Sequence, residues 1–260
     1  MTDLSKPLAG QRILISNDDG IHAPGLKVLE EVARQLSDDV WVVAPETEQS
    51  AASHALTIRR PVFVRRLGAQ RYSVDGTPTD CVVVAVNKIL ADKKPDLVLS
   101  GVNHGGNMAE DVGYSGTVAV AMEATLLGVR AFALSQVRRP EGNTDFAPVK
   151  VYAAGLIQLL ASQDWPADTL MNINFPPLTA EQVKGVKVGS QGRRAAQVQL
   201  VEGKAPSGRP YVWIGDFADH QSPNTGTDLS LIYSGHISVT PLHLDLTHKG
   251  MLGELEELLG

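Results

Sequence analysis

Residues 13–20 read Ile-Leu-Ile-Ser-Asn-Asp-Asp-Gly, an apolar run of the buried-strand kind stopped by two adjacent carboxylates and a glycine. Within a strand Asp18 and Asp19 would point to opposite faces; at a turn eased by Gly20 both can reach one point. Two close carboxylates repel, and a divalent cation is the usual means of keeping both ionised. The alternative is a polar turn whose Asp side chains cap a helix or face water.

Two further loops carry candidate groups. The second, residues 45–54, holds Ser50 and His54. The third starts at Ser100, carries Asn103, His104, Asn107 and Asp111, and reaches Tyr114-Ser115-Gly116-Thr117, where a helix opens. Oxygen donors from Asp, Asn and Ser suit a hard ion such as Mg²⁺ or Mn²⁺. The helix start at Ser115, Gly116 and Thr117 offers free N–H groups, the positive end of the helix dipole and two hydroxyls to an anion such as phosphate. Ordinary N-capping by Ser115 is the plainer reading. His22, His54 and His104 lie in the same loops as hydrogen-bonders or ligands, the latter two also as general acid or base. The sequence contains no G-x-G-x-x-G, Walker A, H-E-x-x-H or G-x-S-x-G pattern.

The elements that must position these loops alternate. After the Asp pair, Leu26, Leu29, Val32, Ala33 and Leu36 keep helical spacing. Strands are expected at 40–44, 57–64, 71–74, 97–99, 131–134 and 170–174, and helices from Thr79 or Asp80 to 90, over 115–127 and over 145–161. Strands regularly followed by helices imply a Rossmann-like α/β fold, a mostly parallel sheet covered on both faces, whose loops bind ligands at the carboxyl ends of strands. Beyond Pro177 short strands near 186, 196–200, 211–214 and 236–240 predict a C-terminal β-rich appendage or hairpin, ending in a short amphipathic helix over 252–259. Residues 1–180 then form the core with the site, and 181–260 an appendage for oligomerisation.

At 260 residues and 43% hydrophobic content the chain has the size and composition of a globular protein. One cysteine, Cys81, excludes an intrachain disulfide and a cysteine metal cage. No signal-peptide pattern opens the sequence, and the apolar stretch 149–161 is too short to span a bilayer, so cytoplasmic residence without membrane attachment is expected. A net charge of −6 argues against nucleic acid as a partner. Arg59, Arg60, Arg65, Arg66 and Arg71 form a local basic run that either draws in a phosphorylated ligand or lines the solvent face of strands with residues 61–64 turned inward; the second reading is preferred.

Several segments occur in order: Ser-Asn-Asp-Asp-Gly (16–20), Ala-Pro-Gly (23–25), Val-Ala-Pro (43–45), Gln-Ser-Ala (49–51) and Gly-Thr-Pro-Thr-Asp-Cys (76–81). Ser-Gly-Val-Asn-His-Gly (100–105), Tyr-Ser-Gly-Thr-Val (114–118) and Ser-Val-Thr-Pro-Leu (238–242) complete the series. Nearly the whole chain thus resembles the SurE family, the survival-protein nucleotidases. Met108 and Ala109 stand where that family more often shows Leu and Gly, and His236 where Tyr is frequent. The resemblance implies a cytoplasmic, metal-dependent phosphatase acting on nucleoside monophosphates, chiefly a 5′-nucleotidase, as a homodimer or homotetramer. It implies one divalent ion at Asp18, Asp19, Ser50 and Asn103, with Asp18 and Asp19 as the catalytic pair, and a phosphate pocket at Asn107 and Ser115-Gly116-Thr117. A phosphatase working through an aspartyl-phosphate and a nucleotide sensor without turnover are the rival readings. The first normally needs its two aspartates two residues apart, whereas here they are adjacent.

Overall fold

A computed structural model describes residues 6–194, 198–217 and 224–260. Its first part runs β1 (Arg12–Ser16), α1 (Pro24–Leu36), β2 (Asp39–Pro45), β3 (Val64–Gly68), β4 (Arg71–Val74), α2 (Pro78–Val84), β5 (Leu97–His104), α3 (Asp111–Tyr114) and α4 (Gly116–Leu126). Then come β6 (Arg130–Gln136), α5 (Ala147–Ala161), β7 (Thr169–Phe175), β8 (Val186–Val188), β9 (Val198–Lys204), β10 (Pro210–Phe217), α6 (Asp228–Tyr233), β11 (Ile237–His243) and α7 (Lys249–Leu259).

Strands β1, β2, β4, β5, β6 and β7 pair in parallel within a nine-stranded sheet of order β3-β4-β2-β1-β5-β6-β7-β11-β8. Side chains of β1 alternate between two cores, as the pleat requires. Ile13 and Ile15 pack with α1 and α5, while Leu14 packs with α2 and α4. Burial on both faces explains why β1 reads as a continuous apolar run. The chain beyond residue 180 divides between two sheets. β8 and β11 extend the main sheet, β11 antiparallel to β7, while β9 and β10 form a two-stranded antiparallel sheet of their own. Residue 196, the expected start of β9, lies outside the described residues.

Four expectations shift. Residues 57–63 are not strand: Pro61 has no N–H to donate, and the Thr57 amide donates to Asp80 Oδ1 at 2.9 Å. Phe63 and Val64, expected to turn inward, are 68% and 37% exposed because β3 is an edge strand with no helix layer over it. Helix α2 is capped by Thr77, not by Thr79 or Asp80. The Thr77 hydroxyl accepts from the Asp80 amide at 3.1 Å, Asp80 Oδ2 accepts from the Thr77 amide at 2.8 Å, and Pro78 takes the first helical position. β5, expected to end at 99, runs on to His104 with a register break between Ser100 and Asn103, so Asn103 sits on strand and not in a free loop.

The carboxyl end of β5 is held by two close backbone approaches. A Cβ on Gly25 would lie 1.9 Å from the Val102 carbonyl oxygen, and one on Gly101, whose φ is +123°, 2.3 Å from the Leu134 carbonyl oxygen. Gly25→Ala must therefore push α1 off β5. The expected loss is about 1–3 kcal/mol of stability, the usual range for overpacking, read as a lowered urea midpoint. A midpoint equal to that of the unaltered protein would show that the contact is not tight.

Candidate active site

The three loops expected to carry chemistry meet at the carboxyl ends of β1, β2 and β5, where an open α/β sheet binds ligands. After Ser16 the chain turns: Asn17 Nδ2 donates to the Gly20 carbonyl at 3.0 Å, and Gly20 takes φ +98°, a conformation in which an L side chain is strained. The Ile21 amide donates to the Pro45 carbonyl and the Gln49 amide to the Asp18 carbonyl, each at 2.8 Å. Ser53 ties the second loop to the third, its amide donating to Tyr114 and its hydroxyl to Gly113.

Asp18, Asp19, Ser50, Asn103, Asn107 and Ser115 all line one cavity of about 970 Å³. Asp18 is 5% exposed. Burial pushes its carboxyl up from 3.8 to about 6; a hydrogen bond donated by the Thr117 hydroxyl pulls the other way, and the neighbouring Asp19 adds to the rise. Asp19 is also raised by burial, opposed by the His104 amide, which donates to its Oδ2 at 3.3 Å, and assisted by Glu48.

The remaining expected residues divide. Asn107 is 6% exposed and fixed from beneath. Its Nδ2 donates to Ser135 Oγ at 2.8 Å, its amide to Asn174 Oδ1 at 2.8 Å, and its carbonyl accepts from Asn172 and Asn174. Ser115 reaches the cavity wall while its Oγ accepts from the Val118 amide at 3.0 Å, so the plain N-cap is formed. Thr117 does not turn its hydroxyl to the cavity: it bonds Asp18 Oδ1. Gly116 sits behind the same carboxylate, for a Cβ there would fall 2.6 Å from Asp18 Cβ. The start of α4 is thus aimed at Asp18. His54 is engaged elsewhere, Nε2 lying 2.9 Å from Glu123 Oε2, whereas His104 lines the cavity. Arg60, Arg65 and Arg71 of the basic run pair with Asp75, Glu46 and Glu30.

Sequence reasoning missed Glu48 and Arg138, both on the cavity wall. Glu48 accepts from the Ser50 hydroxyl at 2.7 Å, and its position two residues from Ser50 was a usable signal. Arg138 follows β6, another carboxyl end of a parallel strand, and its Nε donates to the His104 carbonyl at 3.0 Å. Among the described residues no three His, Cys, Asp or Glu side chains converge as a metal cage. The converging set is two carboxylates with Ser and Asn oxygens.

The folded Asp18 carboxyl binds its proton more tightly than the unfolded one. Stability from this group, measured with EDTA present, is therefore fullest below pH 3.8 and is lost as pH rises to about 6. The displacement from 3.8 to about 6 corresponds to about 3 kcal/mol. Thr117→Val removes a donor that favours the ionised form, so the Asp18 titration should move further up, as followed by carboxyl ¹³C shifts. A titration that stays put or falls would show that Thr117 does not hold the carboxylate.

The model of the family described as survival protein SurE matches residues 13–198. The chain is 53% identical over 245 residues to the 5′-nucleotidase SurE of Paramagnetospirillum magneticum, covering 94% of each. It is 51% identical to that of Phenylobacterium zucineum, over 96% of this chain and 97% of the relative, and 51% identical to that of Rhodospirillum rubrum, over 100% and 98%. The crystal structure of the SurE protein from Aquifex aeolicus superposes with a TM-score of 0.83 at 39% identity, covering 96% of this chain and 100% of that one. With the family model spanning most of the sheet and relatives of about half identity matching end to end, the chain belongs to the SurE family.

Proposed function

We propose that this protein is a 5′-nucleotidase, hydrolysing nucleoside monophosphates to nucleoside and phosphate with one divalent cation, Mg²⁺ or Mn²⁺. The observation that carries this is the shared lining of one cavity by Asp18, Asp19, Asn107 and Ser115, in a chain whose relatives bear that name. Asp18, Asp19, Ser50 and Asn103 would hold the cation. They fit it: the donors are all oxygen, and the Asp18 charge is opposed by burial and relieved by hydrogen bonds from Thr117, so an added cation would meet a real electrostatic need. When bound, the ion supplies Lewis acidity toward the phosphoryl oxygens and the attacking water.

The chain's own groups supply the rest. Thr117 and the start of α4 orient Asp18, and Ser50 is oriented by its bond to Glu48. Asn107, immobilised by Ser135 and Asn174, would donate to the equatorial oxygens as charge develops on them, with Ser115 on the same cavity wall as a further donor. His104 lines the cavity whereas His54 is engaged by Glu123, so His104 would be the imidazole that exchanges a proton with the leaving oxygen.

Assembly as a homodimer or homotetramer and residence in the cytoplasm belong to the same proposal. Leu200, Trp213 and Ile214 of β9 and β10 are 63%, 68% and 73% exposed, and a two-stranded hairpin is marginal without a partner surface. No described helix is long and apolar enough to cross a membrane.

Phosphate release from AMP should require Mg²⁺ or Mn²⁺ and stop on adding EDTA. Asp18→Asn or Asp19→Asn should lower kcat/KM by more than about 100-fold, beyond the range of outer-shell positions, with the fold intact by circular dichroism. Nucleotide binding without phosphate release under either metal would make the protein a sensor instead. By light scattering the native protein should run as a dimer or larger, and a monomer at micromolar concentration contradicts the hairpin's role.

A further inference from the structure

The segment that carries Asn107, residues 105–110, has no helix or strand of its own. From the sheet side it is held by Asn172 and Asn174. From the other side it is gripped by residues lying far along the chain, on both flanks of the β9–β10 hairpin. Arg194 makes a two-pronged ion pair with Asp111, 2.9 Å to Oδ1 and 2.7 Å to Oδ2, and donates to the Met108 carbonyl at 3.2 Å. Its amide meets Glu110 Oε1 at 3.0 Å. Asp228 is fully buried; its Oδ2 accepts from the Ala109 amide at 2.9 Å and its Oδ1 from the amides of Gly192 and Leu229 at 2.9 and 2.7 Å. Gln191 Nε2 donates to the Ala109 carbonyl at 2.7 Å.

The residue held at both its amide and its carbonyl is strained. Ala109 has φ +51°, in the left-handed region that costs an L side chain on the order of 1 kcal/mol or more unless its surroundings fix it. A buried charge and a carboxamide supply that fixing two residues from Asn107. Left-handed backbone at a non-glycine residue beside a binding group is the arrangement expected when a loop must be held against its own preference.

We infer that Asp228 and Arg194 are positioning residues: they hold residues 108–111, strained at Ala109, so that Asn107 meets the transferred phosphate. This rests on the phosphate role proposed for Asn107. Neither side chain lines the cavity, so each acts through the loop. Misplacing a binding group by about 1 Å can cost as much as roughly 100-fold in rate. Loss of the Asp228 charge should therefore be felt at the phosphate although it removes no contact to it.

The test compares Asp228→Asn, Arg194→Gln, Asn107→Ala and the Asn107→Ala/Asp228→Asn double variant in the full-length protein with Mn²⁺. The readouts are phosphate release from AMP and from p-nitrophenyl phosphate, and the affinity for inorganic phosphate by calorimetry. Asp228→Asn and Arg194→Gln should each weaken phosphate binding and kcat/KM by roughly 10-fold or more, equally for both esters, since both share only the phosphoryl group. The double variant should be no worse than Asn107→Ala alone, because the second change acts through a group already removed. Adding Ala109→Gly to Asp228→Asn should restore part of the loss by removing the strain the carboxylate holds. Additive losses in the double variant, unchanged phosphate affinity in both folded single variants, or failure of both to fold would overturn the inference. Unaltered protein that binds phosphate yet cleaves neither ester overturns the nucleotidase proposal alone, for the phosphate affinities still decide the clamp. Unaltered protein without phosphate affinity overturns the clamp.

Discussion

Asp18 follows the end of β1, an interior strand packed between helices on both faces, and it is almost wholly removed from water. A carboxylate so placed costs free energy unless its charge is met by hydrogen bonds or a cation. Much of the surrounding structure answers that demand. Gly116 lets the start of α4 approach within contact of Asp18, and Thr117 turns its hydroxyl onto the carboxylate. Gly20 permits the turn that brings Asp19 to the same cavity, and Gly25 lets α1 lie against the end of β5 that delivers Asn103. A side chain at Gly25 or Gly116 would drive these elements apart and unmake the site.

The same trade recurs under Asn107. Toward the carboxyl ends of β6 and β7 and in the first half of the antiparallel β11 the buried residues include Ser135, Asn172, Asn174, Ser238 and Thr240, where a core elsewhere would place Val or Leu. Ser135 and the two asparagines direct hydrogen bonds to Asn107, while Ser238 Oγ, Thr240 Oγ1 and Asn172 Oδ1 find no partner among the described residues. Such groups weaken folding, and they concentrate on the side of the sheet from which the site is built. Rigid support for one carboxamide is the return for that cost.

The sequence carried the frame because its periodicities are local. A double-faced apolar run marks β1, and the spacing of Leu26, Leu29, Val32, Ala33 and Leu36 marks α1, all of which are buried. The Asp pair was legible because two adjacent carboxylates at a strand end have few structural uses. The direction of the Thr117 hydroxyl was not, since a helix start offers the same donors to an anion or to a neighbouring carboxylate, and only the approach of β1 decides between them. Residues 57–63 misled because Ile58, Val62 and Phe63 suggest a strand while Pro61 and the tertiary bond from Thr57 to Asp80 forbid one. Arg194 and Asp228 had no signal: they meet the Asn107 segment across 83 and 119 residues, and no spacing rule reaches that far.

At the centre of this account is a cation held between the Asp18 and Asp19 carboxylates with the oxygens of Ser50 and Asn103 in reach. Anomalous diffraction from crystals grown with Mn²⁺ tests it most directly. The account predicts one strong peak in the cavity, within coordination reach of Asp18, Asp19 and Asn103. Ordered crystals that show no peak there under saturating Mn²⁺, or a peak whose ligands exclude Asp18, would contradict it.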